Sequence, residues 1–232
     1  MSIDKNILPI QYTQRIQLIL NAAVILMAAC TIFFLYEDEK FIYRICKPIT
    51  TVLLIFMVFT LGNKSVKPFH SLMSYAFIFC LIGDVLLMFE SAFIFGLLSF
   101  LIAHLLFFKA FTSKGGLKKQ YGVLMVLLAI GLAIFTYLFP YLGSLKIPVI
   151  LYVLAILCMC WQGIGLYLQD QQLANKFLMV GVLLFLFSDA ILAINKFAHQ
   201  FPLADFLILS SYWGALLCIA NGVVLVKTDY AS

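Results

Sequence analysis

Eight apolar runs follow one another along the chain, separated by short polar breaks. They cover roughly residues 16–35, 41–61, 69–89, 92–112, 120–139, 147–168, 174–195 and 203–227. Each is close to the roughly 20 apolar residues that a helix needs to cross the hydrocarbon core of a bilayer. The pattern predicts an all-α integral membrane protein with eight transmembrane helices in a single domain over 1–232. No linker or low-complexity tract suggests a separate soluble domain. Residues 1–15 are polar and show no signal-peptide pattern, so the first span is expected to remain in the mature protein.

Composition agrees with the pattern. The chain is 65% hydrophobic and 11% charged, whereas a soluble protein is about half apolar and roughly 25% charged. Six cysteines, at 30, 46, 80, 158, 160 and 218, fall almost entirely within spans. Their spacing suits no zinc site, and they read as small apolar fillers. With eight spans both termini share a side. Lys5, Arg15, Lys64, Lys67, Lys109, Lys114, Lys118, Lys119, Lys176 and Lys227 lie on that side. Lys40, Arg44, Lys47, Lys146 and Lys196 lie on the other. Ten against five predicts cytoplasmic termini by the positive-inside rule. The net charge of +5 then reflects topology and not nucleic-acid binding. "TSKGGLKK" at 112–119 becomes a cytoplasmic loop facing anionic lipid.

Two stretches break the apolar pattern in the same way. "FCLIGDVLLMF" (79–89) and "FLFSDAILAIN" (185–195) each place one aspartate in a greasy segment. Asp84 and Asp189 lie 105 residues apart, on the third and seventh spans, which run in the same direction. At about 1.5 Å per residue, Asp84 lies about 7 Å below Phe89 and Asp189 about 9 Å below Asn195. Matched depth suggests a four-plus-four parallel repeat. A charge in a span costs about 2.5–3.5 kcal/mol on insertion scales and normally faces the bundle interior. The competing structural reading is an interhelical hydrogen bond that orders the bundle. Two aspartates at one depth weigh against it.

Other polar residues converge on this half. Lys47 precedes Pro48, and proline suits a first helical turn. A helix over 48–61 is only about 21 Å long, so the second span is expected either to kink at Pro48 or to begin with buried non-helical chain. Both alternatives bring Lys47 near the aspartates, unless it snorkels to the interface. His104 lies twelve residues into the fourth span. Ser188 adjoins Asp189, Asn195 and Lys196 close the seventh span, and Tyr212 can bring a hydroxyl to the aspartates' level. Trp161 and Gln162 are weaker candidates. Gly163, Gly165 and Gly214 read as sites of close helix approach.

Two carboxyls, a lysine and a histidine in one pocket can do acid–base work. One aspartate would hold a proton and act as general acid while the other, beside Lys47, stays ionised. That division suits hydrolysis through an oxocarbenium-like cation, as in glycosidases. No G-x-S-x-G elbow is present, and the three histidines are too scattered for a facial metal site. No cofactor is called for.

At these residues the chain resembles the YhhN-like lysoplasmalogenase family of multispan membrane proteins. "CKPI" (46–49), "GDVLL" (83–87), "GLLSFLIAH" (96–104), "FSDAILAINKF" (187–197) and "YWGALL" (212–217) carry the resemblance. Where the family often has glutamine after the tyrosine, this chain has Trp213. The resemblance implies hydrolysis of the vinyl ether bond of lysoplasmalogens to a fatty aldehyde and glycerophosphoethanolamine or glycerophosphocholine. It implies Asp84 and Asp189 as catalytic carboxyls, with Lys47, His104, Ser188, Asn195 and Tyr212 binding substrate or supporting them. It further implies lysophospholipid and membrane lipid as partners, no nucleic acid, and a multi-pass location, in a bacterium the inner membrane. The oligomeric state is left open. A proton-coupled transporter of lipids or small molecules is the alternative, although the acids sit nearer one surface than a transporter's midplane site. A lipid-sensing bundle is a third reading. A retinal pigment is disfavoured, because the last span has no mid-span lysine.

Overall fold

The computed structural model describes residues 7–226, with side chains from Tyr12 onward. Among them, eight helices are long and apolar enough to cross a membrane. They are α1 (Ile7–Tyr36), α2 (Lys40–Leu61), α3 (Phe69–Leu86), α4 (Phe93–Ser113), α5 (Tyr121–Leu138), α6 (Lys146–Gln169), α7 (Leu173–Ala193) and α8 (Ala204–Leu225). No strand occurs among the described residues. The protein is a multi-pass integral membrane protein. Lys5 and Lys227, both used in the charge count, lie outside the described residues.

Three boundaries differ from expectation. α1 begins nine residues before the predicted span, with Pro9 in its first turn, where a missing N–H costs nothing. α2 continues unbroken through Pro48, so the non-helical start predicted as one alternative does not occur. At 22 residues it is about 33 Å long and spans the core. α3 ends at Leu86, not Phe89, and a 3-10 turn at Glu90–Ala92 leads into α4. The depth estimate that placed Asp84 five residues below the helix end is therefore corrected to two residues. α7 runs on into a single π turn, Ile194–Ala198.

Successive helices pair as antiparallel hairpins: α1 with α2, α3 with α4, α5 with α6, and α7 with α8. Two longer-range contacts close the bundle, α2 on α8 and α4 on α6. A shift of four helices exchanges these two contacts, as a parallel duplication requires. The correspondence fails at one place. α1 packs on α8, whereas its counterpart α5 makes only sparse contact with α4. An apolar cleft opens there.

The α7–α8 contact depends on small residues. A Cβ at Gly181 would come 2.6 Å from Ile219 Cγ1 and 2.9 Å from the Ala215 carbonyl oxygen; one at Gly222 would meet Leu178 Cδ2 at 2.7 Å. Backbone cannot yield as a flexible side-chain tip can. Without a hydrophobic driving force between helices in lipid, such close approach supplies the packing energy. Gly181→Val should therefore destabilise the detergent-solubilised protein by about 1–3 kcal/mol. Gly122→Ala, where an added methyl meets nothing within 4 Å, should leave thermal unfolding unchanged. Equal midpoints for the two variants would contradict this packing.

Candidate active site

Each intramembrane aspartate is held by hydroxyls from neighbouring helices. Asp84, on α3 and 2% exposed, accepts a hydrogen bond at Oδ2 from Thr51 Oγ1 of α2 (2.5 Å) and another from Tyr212 Oη of α8 (2.9 Å). Asp189, on α7 with its side chain 12% exposed, accepts one at Oδ2 from Tyr152 Oη of α6 (2.6 Å). His104 Nε2 of α4 stands 3.6 Å from the same oxygen. The two arrangements correspond under the four-helix shift: α2 and α8 flank Asp84 as α6 and α4 flank Asp189, although at Asp189 only Tyr152 of α6 donates a hydrogen bond. A buried carboxyl without such donors would carry the full cost of lost hydration.

Both aspartates line one cavity of about 210 Å³. Lys47, Ser188, Lys196, Asp205 and Tyr212 line it as well. Lys47 is 7% exposed and rests its ammonium 5.9 Å from the centre of the Tyr43 ring. It faces Asp84 without direct contact: the ion-pair contacts within 4 Å among the described residues are Lys40–Asp38 and His104–Asp189. Lys196, at the exposed rim, lies over the Phe93 ring at 4.9 Å.

Asp189 also borders the apolar cleft between α4, α5, α6 and α7. That cleft is lined by Leu97, Gly131, Leu138, Val149 and Ile156, among others. Phe93, Asp189 and Leu192 belong to both spaces. Asp189 thus stands where a polar chamber meets a greasy slot.

The other predicted residues are placed as follows. His104 is fully buried, packed edge-on against Tyr152 and Phe185 at ring-centre distances of 5.1 and 4.8 Å. Neither of its ring nitrogens has a hydrogen-bond partner. Ser188 lines the cavity but donates its hydroxyl to the Ile208 carbonyl (2.9 Å), tying α7 to α8. Asn195 is not part of the cavity lining; its Oδ1 accepts from the Phe201 N–H at 3.3 Å and shapes the turn into α8. Thr51, Tyr152 and Cys80 escaped the sequence reading. Cys80 lies one turn before Asp84 and is fully buried. The described residues contain no cluster of three His, Cys, Asp or Glu side chains that could hold a metal ion.

The hydroxyl clamps predict a stability cost that needs no assay of function. Tyr212→Phe removes one donor from buried Asp84 and should cost about 1–3 kcal/mol, the penalty for a buried acceptor that loses its partner. Thr60→Val removes a hydroxyl that only back-bonds to Phe56 on an exposed face and should change the unfolding midpoint little. A Tyr212→Phe protein as stable as wild type would show that the contact does not hold Asp84.

Residues 42–223 match the YhhN family, a range that contains both aspartates and all their partners. Lysoplasmalogenase TMEM86A of Bos taurus is 31% identical over 188 residues, covering 77% of this chain and 76% of the relative. The Homo sapiens TMEM86A lysoplasmalogenase is 30% identical over 185 residues, covering 77% and 76%. Lysoplasmalogenase TMEM86B of Rattus norvegicus is 28% identical over 200 residues, covering 83% and 79%. No solved structure matches. With more than three quarters of its length matched and its paired aspartates inside the match, the chain belongs to the YhhN family.

Proposed function

We propose that this protein is a lysoplasmalogenase, hydrolysing the vinyl ether bond of lysoplasmalogens to a fatty aldehyde and a glycerophospho-headgroup. The observation that carries the proposal is the position of Asp189 at the junction of polar chamber and apolar cleft. A lysoplasmalogen has the same division, with its alkenyl chain on one side of the vinyl ether and its phosphate headgroup on the other. With the chain in the cleft, the vinyl ether lies against Asp189, and the headgroup lies toward Lys47 and Lys196.

Asp189 is the general acid. Its proton forms a C–H bond at the alkenyl carbon remote from oxygen, while the π electrons shift to make an oxocarbenium ion. Asp84 is the carboxylate that stabilises this cation, with Lys47 across the cavity. Water adds to the cationic carbon and gives a proton to Asp84, yielding a hemiacetal. In the collapse the bond to the glycerol oxygen breaks, and that oxygen takes the proton from Asp84. The hemiacetal hydroxyl returns its proton to Asp189 as the aldehyde forms. His104, whose Nε2 stands 3.6 Å from Asp189, is the polar neighbour of this carboxyl. The charge asymmetry between the two ends supports cytoplasmic termini, and the cavity then opens toward the opposite surface.

Aldehyde release from 1-alkenyl-glycerophosphoethanolamine by the purified protein tests the reading. General acid–base groups contribute on the order of 10²–10⁴-fold, so Asp84→Asn and Asp189→Asn should each lose at least about a hundredfold in kcat. Turnover that survives both changes would overturn the mechanism, and no aldehyde from folded wild type would overturn the function. Gly131→Val should block the cleft, because a Cβ there would come 2.5 Å from Leu157 Cδ1. Long-chain substrates should lose kcat/KM on the order of tenfold relative to short-chain ones. An unchanged chain-length profile would move the chain elsewhere.

A further inference from the structure

The aspartate cavity has a second charged layer, above the groups that move protons. Besides Lys47 and the aspartate pair, its lining carries two charges, Lys196 and Asp205. Asp205 stands in the first turn of α8, two turns before Tyr212 on the same helix face. At about 1.5 Å per residue its backbone lies about 10 Å from that of Tyr212, toward the α7–α8 turn. Lys196 lies two turns beyond Asp189, so it stands at about the same height on the neighbouring helix. Leu192, Ile208 and Leu209 line the space between the two levels. The cavity is therefore stratified, with two carboxyls at its floor, an apolar waist, and one cation and one anion at its rim.

The rim charges are not paired with each other. The Lys196 ammonium lies over the Phe93 ring at 4.9 Å. Asp205 is exposed, and among the described residues no lysine or arginine nitrogen lies within 4 Å of its carboxylate. A carboxylate in a first helical turn gains from the helix dipole. That field acts on every face of the turn, and Asp205 stands on the face that lines the cavity.

The spacing of the layers fits a headgroup that carries both signs of charge. From the vinyl ether oxygen to the headgroup nitrogen, an extended glycerophosphoethanolamine spans about 11 Å, at about 3.8 Å per three bonds. With the vinyl ether at Asp189, the phosphate passes between Lys47 and Lys196, and the nitrogen reaches the rim beside Asp205. A primary ammonium offers three donors to that carboxylate. A headgroup that ends in a bare phosphate would bring more negative charge against it instead.

We infer that Asp205 receives the ammonium of a zwitterionic headgroup and so selects such lysophospholipids over those ending in a phosphate monoester. The inference rests on the lysoplasmalogenase reading. Asp205 has no part in the proton transfers; it is a specificity residue at the mouth of the same cavity.

The full-length protein in detergent is assayed for aldehyde release from two substrates with one alkenyl chain. One is 1-alkenyl-glycerophosphoethanolamine, and the other is 1-alkenyl-glycerol 3-phosphate, which lacks the ammonium. Wild type should favour the ethanolamine substrate in kcat/KM. Asp205→Asn should reduce this preference about fivefold, the upper range for an exposed ion pair. It should do so by lowering kcat/KM for the ethanolamine substrate and raising it for the phosphate, mainly through KM. Asp205→Lys should reverse the preference. Asp38→Asn removes a carboxylate at the same end of the bundle, on the α1–α2 turn and outside the cavity lining, and should leave the preference unchanged. Loss of folded protein lowers both rates together and cannot mimic opposite movements. A preference unchanged in both Asp205 variants would overturn the inference and leave the hydrolase reading intact, as would an equal shift in Asp38→Asn. No aldehyde from wild type with either substrate would overturn that reading, and the inference with it.

Discussion

Two carboxyls buried in an apolar bundle constrain everything around them. Each must find donors within the protein, because lipid supplies none. Asp84 draws on α2 and α8, and Asp189 on α6, with the α4 histidine 3.6 Å away. Those pairs are also the helices whose long-range contacts close the bundle. The polar clamps and the helix arrangement are therefore one design, in which a misplaced helix would leave an acid without its hydroxyl. Glycines at the α7–α8 contact hold these helices at the separation that the clamps need.

Correspondence between the two halves explains why both acids reach one cavity, and its failure explains how they come to differ. α1 covers α8, whereas α5 leaves α4 largely uncovered and opens the apolar cleft beside Asp189. Asp84 receives two hydroxyls and faces Lys47. Asp189 receives one and stands beside a histidine without hydrogen bonds. A pair of equivalent aspartates thereby acquires unequal surroundings, as a division between proton donor and cation stabiliser requires.

Much of this was legible in the sequence, for identifiable reasons. Eight spans show because apolar length is the dominant signal of a membrane helix. Asp84 and Asp189 show because a charge in such a run is costly. Tyr152 did not show: tyrosine is common in this chain, and its meeting with Asp189 depends on the rotation of α6, which a nearly all-apolar helix hides. Thr51 looked like ordinary span filler for the same reason. Asn195 drew attention by position, yet its side chain serves a turn. Pro48 suggested a broken span, but α2 carries it within a continuous helix whose neighbour Thr50 back-bonds to the Cys46 carbonyl at 3.0 Å. Gln162 seemed a minor polar residue because its partner is the backbone of a loop distant in sequence.

The central claim is that a carboxyl of this pair delivers a proton to carbon. Hydrolysis in D₂O, with the aldehyde trapped by reduction as it forms and examined by mass spectrometry and NMR, tests it most directly. The account predicts one deuterium per product on the carbon next to the former carbonyl, added to a single face because Asp189 approaches from one side of the cleft. Product without that deuterium would mean that the ether bond breaks by another route, and the acid–base role of the aspartates would fall with it.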